Sequence, residues 1–117
     1  MRDNNIILEK SKNFAIRIVK LSKYLNDKNE YVLSKQLVRS GTSIGANVRE
    51  AQRGQRKADF VAKMNIALKE ACETEYWLEI LYETEYLSKE EFESIYNDNK
   101  EVTKLLMSIT KTAKANN

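Results

Sequence analysis

Residues 58–86 read ADFVAKMNIALKEACETEYWLEILYETEY, and their spacing decides the fold. Phe60, Met64, Ala67, Ala71, Thr74, Leu78 and Leu81 follow one another at alternating steps of four and three. Such steps put every one of these residues on one side of an α-helix, which completes a turn in 3.6 residues. A strand needs alternation at every second residue, and the chain has no such stretch.

Three flanking segments carry the same period. The first runs from about Asn4 to Asn26, with Ile7, Phe14, Ile18, Leu21 and Leu25 as its apolar stripe, and Asn26-Asp27-Lys28-Asn29 breaks it. The second runs from about Glu30 to Gly54, with Leu33, Leu37, Ile44, Val48 and Ala51 on one face. The fourth opens at Ser88-Lys89-Glu90-Glu91, a capping box with Ser88 as N-cap. It continues through Phe92, Ile95, Asn99, Val102, Leu106 and Ile109, and frays at Asn116-Asn117. The 117 residues contain no proline, so nothing forces a break inside these segments. Four helices of roughly 37 Å with short connections fit an all-α, antiparallel up-and-down four-helix bundle, one domain over residues 1–117.

The middle of the second segment, Ser40-Gly41-Thr42-Ser43-Ile44-Gly45, reads as a turn by propensity. Two helical glycines cost roughly 2 kcal/mol against alanine. The apolar spacing nevertheless stays in phase across them, which favours a continuous helix, with a kink at Gly41 as the alternative. Ser40, Gly41, Ser43, Gly45 and Asn47 are small or polar enough to let another helix, of this chain or a neighbouring one, approach closely.

The composition argues against an enzyme. There is no histidine, hence neither the commonest general base nor the commonest metal ligand. No phosphate-cradling glycine loop or nucleophile elbow occurs. Glu70, Glu73, Glu75, Glu79, Glu83 and Glu85 make an acidic series that reads as a solvated face, so no metal or cofactor is expected. Cys72, the single cysteine, is expected to be a small buried hydrophobe. Asn99 sits in phase with apolar neighbours, as a buried amide that fixes register does. Tyr76, Trp77, Tyr82 and Tyr86 are expected to pack rather than stack on bases, because glutamates surround them. The apolar run Ile6 to Leu8 is too short for a secretory signal or a membrane span, so the expectation is a cytoplasmic protein.

Charge supplies the functional lead. Residues 1–69 hold 15 Lys/Arg against 6 Asp/Glu, and residues 70–117 hold 5 against 11. At 100° per residue, Lys35, Arg39, Arg49, Arg53, Arg56 and Lys57 fall within one 100° stripe, provided the second helix extends that far. Arginine forks match phosphate oxygens two at a time, so the stripe reads as a surface for nucleic-acid backbone. A solvated face is the alternative.

The run Leu37 to Ala51, with Arg39-Ser40, Ser43-Ile44, Asn47-Val48 and Glu50, resembles the signature of the 23S ribosomal RNA intervening-sequence proteins. Arg53, Phe60, Ala67 and Glu73-Thr74-Glu75 extend the likeness, although Ala51 stands where many relatives carry glycine. The resemblance implies a homopentameric barrel of four-helix bundles. It extends to a related branch, the accessory variability determinant of diversity-generating retroelements, whose partners include nucleic acid and a reverse transcriptase. It leads to a non-enzymatic, homo-oligomeric accessory protein holding RNA or DNA backbone, in which five copies of +3 would carry +15. The rival is an interaction or structural oligomer in which the stripe faces the acidic third and fourth helices of a neighbour.

Overall fold

A computed structural model describes residues 2–116, and Asn117 of the expected fraying end lies outside them. Four helices follow one another: α1 (Arg2–Asp27), α2 (Val32–Ala51), α3 (Lys57–Glu83) and α4 (Lys89–Ala115). Among the described residues there is no strand.

Cross-helix pairs establish the direction of each helix. Ser22 meets Ser34 while Gly45 lies against Ser11, so α2 runs antiparallel to α1. Ser40 meets Thr74 and Glu50 meets Lys63, which reverses α3 against α2. Tyr82 stacks on Phe92 and Asn99 reaches Ala71, which reverses α4 against α3. Lys10 pairs with Glu101 and Arg17 with Asp98, closing α4 onto α1. The result is an up-and-down bundle of 48 × 21 × 19 Å.

The expected apolar positions form one core, with Ile7, Phe14, Ile18, Leu37, Ile44, Met64, Ala67, Leu78, Val102 and Leu106 among its buried members. Each sequential seam also carries a buried polar pair. Ser22 and Ser34 hydroxyls lie 2.6 Å apart, the Thr74 hydroxyl donates to Ser40 Oγ at 3.0 Å, and Asn99 Nδ2 donates to the Ala71 carbonyl at 3.0 Å. Asn99 Oδ1 finds no partner among the described residues, an orphaned acceptor of the kind that costs about 1–3 kcal/mol. The α1–α4 seam is the sparsest and is held by surface ion pairs instead. The Glu101 carboxylate beside Lys10 raises that ammonium's pKa, first by hydrogen bonding and then by charge.

Turn chemistry explains the ends. Ser88 Oγ accepts from Glu91 N–H at 3.1 Å while Glu91 Oε1 accepts from Ser88 N–H at 2.8 Å, the expected capping box. Glu30 Oε1 accepts from Leu33 N–H at 2.6 Å and so caps α2 from outside. Asn29 (φ 63°) and Glu85 (φ 69°) take the left-handed conformation that closes α1 and α3. Helix α2 is unbroken through Gly41, as the phase of its apolar residues required.

Two expectations need correction. Helix α2 stops at Ala51 rather than Gly54. Cys72 is exposed, because it stands a helical step beyond buried Ala71 and turns away from the core. Tyr76 is exposed too, yet it packs edge-on against Trp77 with ring centroids 5.0 Å apart, and Trp77, Tyr82 and Tyr86 are partly covered.

Candidate nucleic-acid interface

The solvent face of α2 begins with Lys35, which is exposed. One turn later Arg39 leans toward α3, where its guanidinium hydrogen-bonds the Glu73 carboxylate and lies 3.8 Å from that of Glu70. Thr42 and Ala46, both uncharged, occupy the same face over the following two turns. Arg49 then leans the other way, toward α1. The stripe is therefore interrupted at its centre.

Its far end does not follow the helix at all. After Ala51 the chain turns, with Arg53 N–H donating to the Glu50 carbonyl at 3.0 Å and Gly54 N–H to the Ala51 carbonyl at 3.2 Å. A Cβ at Gly54 would stand 3.0 Å from Asp59 Cβ and 3.2 Å from Phe60 N. The return of α3 leaves little room for a side chain there, which suits glycine to the position. Arg56 adopts an extended conformation (φ −126°, ψ 155°) as N-cap of α3, its guanidinium 3.5 Å from Asp59. Lys57 is the first residue of α3.

The turn brings other residues together instead. A groove of about 540 Å³ runs between α1 and α2, floored by Leu8, Ala15, Gly45 and Ala46. Lys12, Arg49 and Arg53 line it, with Glu50 as its one carboxylate. Glu50 is already engaged by Lys63 at 3.2 Å, and among the described residues no carboxylate pairs with Lys12, Arg49 or Arg53. Lys12 escapes a reading of α2 alone. Finding it requires the α1–α2 register, which the closeness of Gly45 to the Ser11 backbone sets.

The small residues divide into two sets. Ser40, Gly41 and Gly45 face neighbouring helices, with Ser40 touching Thr74 and the glycines touching α1. Ser43 Oγ donates to the Arg39 carbonyl at 2.6 Å and Asn47 Nδ2 to the Ser43 carbonyl at 2.8 Å, so both bond back to their own helix.

A family model described as 23S rRNA-intervening sequence protein matches residues 3–108, nearly the whole bundle. The chain belongs to that family. It is similar to a Bacteroides thetaiotaomicron VPI-5482 protein of unknown function from the S23 ribosomal protein family, whose crystal structure extends to 1.70 Å resolution. The two share 59% identity, with 93% of this chain and 98% of that one aligned at a TM-score of 0.91. No curated protein matches. For this member of the 23S rRNA-intervening sequence protein family, the kinship fixes the bundle and leaves the role to the site.

Proposed function

We propose that the chain is a non-enzymatic, homo-oligomeric accessory protein of the cytoplasm that holds nucleic-acid backbone, RNA in keeping with its family's name. The observation that carries this reading is the cluster of Lys12, Arg49 and Arg53, three cations without carboxylate partners on one rim. Cations gathered at that density suit phosphates, and they do so without reading bases.

Counterion release supplies the test. Neutralising about three phosphates gives a slope of log K against log salt near −2 on a single strand and near −3 on a duplex. The double substitution Arg49→Glu with Arg53→Glu is expected to weaken binding to labelled RNA at least tenfold and flatten the slope, with helicity unchanged. Unchanged affinity in a folded, still-assembled variant removes the site.

The rival has one observation behind it. Arg39 already spends its charge on Glu70 and Glu73 across the α2–α3 seam, which shows an arginine of this stripe answering an acidic helix face. If neighbouring copies repeat that contact, the same double variant falls apart into smaller species, which sizing chromatography reads in parallel.

A further inference from the structure

We infer, resting on the nucleic-acid reading above, that the phosphate-holding surface extends over one whole pole of the bundle through Lys104, Lys111 and Lys114 of α4, and that it takes a base-paired RNA stem.

Folding redistributes the charge along the long axis. Residues 4–14, 42–70 and 103–116 meet at one end and hold eleven Lys/Arg against four Asp/Glu. Residues 15–41 and 71–102 meet at the other and hold eight against twelve. One pole is thus +7 and the opposite pole −4, so an anionic ligand is steered to one end.

At the basic pole α4 contributes a face of its own. Ile95, Val102, Leu106 and Ile109 are buried, and Lys104 and Lys111 project from the opposite side two turns apart. Exposed Ser108 stands between them and Lys114 one turn beyond. No acidic residue occurs from Val102 to Asn116. Three other lysines are matched: Lys100 meets Glu75 at 2.6 Å, Lys63 meets Glu50, and Lys10 meets Glu101. Lys104, Lys111 and Lys114 have no carboxylate partner among the described residues. The helix dipole accounts for Lys114 only, because its influence is confined to the last turn. Antiparallel register sets Lys111 level with the opening of α3, and α3 opens level with Arg53.

The kind of RNA follows from what the pole lacks. Proteins that hold single strands stack bases on exposed aromatic rings. The exposed rings here, Tyr24, Tyr31 and Tyr76, belong to the acidic half, whereas Phe14 is buried and Phe60 half-buried at the basic end. Cations without stacking platforms suit a helix whose bases stay paired and whose phosphates face outward.

The test titrates the full chain with a labelled RNA stem-loop of arbitrary sequence and with an oligouridylate of equal phosphate number. Wild type is expected to prefer the stem. Substituting Lys104→Gln, Lys111→Gln and Lys114→Gln together keeps good helix formers in place. It is expected to reduce stem affinity tenfold or more and to make the salt slope shallower by about 2–3, with mass and helicity unchanged. A triple variant that binds like wild type, while Arg49→Glu with Arg53→Glu does not bind, overturns the α4 assignment and spares the nucleic-acid reading. Equal or tighter binding of oligouridylate overturns the stem. Failure of wild type to bind either RNA at low salt overturns the nucleic-acid reading and this inference with it.

Discussion

A methyl group on Gly41 would stand 2.8 Å from both Ile18 Cγ1 and Cγ2 and 3.2 Å from Ile18 Cβ. Ile18 is fully buried and branched at Cβ, so it cannot swing aside without leaving its rotamer. Helix propensity alone would reward Gly41→Ala by about 1 kcal/mol, but overpacking a filled core costs about 1–3 kcal/mol. Net destabilisation is therefore expected, read as a lower denaturation midpoint in urea; a midpoint above wild type would contradict the packing argument. Gly45 differs, since its added methyl would lie 3.3–3.4 Å from Ser11 backbone atoms and Oγ. There the propensity gain and the tight contact nearly cancel for alanine, whereas Gly45→Leu must push α1 away and lose more than about 1 kcal/mol. Residue-scale reading of the sequence succeeded where phase decides, as at Asn99, and failed at Cys72, where residue type was trusted over phase.

At the scale of elements, caps and turns set lengths that periodicity only approximates. The Ser88–Glu91 box was visible in sequence because both partners lie within one turn. Ser88→Ala is expected to cost about 1 kcal/mol, seen as a drop of several degrees in thermal unfolding, and an unchanged midpoint would show that the cap carries no energy. The end of α2 was not visible in the same way. Ala51 is the last apolar residue of its face, with none from Gln52 to Lys57, and the turn that follows sets Gly54 against Asp59 and Phe60, a contact formed only once α3 has returned. The basic stripe suffered for the same reason. Its angular positions were legible, but Arg39's carboxylate partner lies 34 residues away on α3, and the groove's Lys12 lies on α1.

At the scale of the molecule, charge divides by pole and not by half of the sequence, because the antiparallel helices carry residues 15–41 of the basic half to the acidic end and residues 103–116 of the acidic half to the basic end. The flanks of the bundle pose a separate question. Ile16 and Val19 on α1 are 46% and 36% exposed, and Val19 stands one turn beyond Ala15 of the α1–α2 groove. Apolar side chains gathered on one flank of a helical bundle are the usual mark of a partner surface, and the homo-oligomer proposed above would cover them with another copy. Replacing Ile16 and Val19 together with lysine spares the buried core residues themselves, since Ile16 lies opposite Phe14 and Ile18 and Val19 lies on the flank between. The double variant is expected to stay as helical as wild type while light scattering at micromolar concentration shows its mass fall toward a single chain. A wild type already of one-chain mass would sink the oligomer itself, and a variant of unaltered mass would move the interface off α1. The RNA readout adds a coupled expectation: if copies share a ligand, dispersing them lowers apparent affinity by far more than two added positive charges raise it.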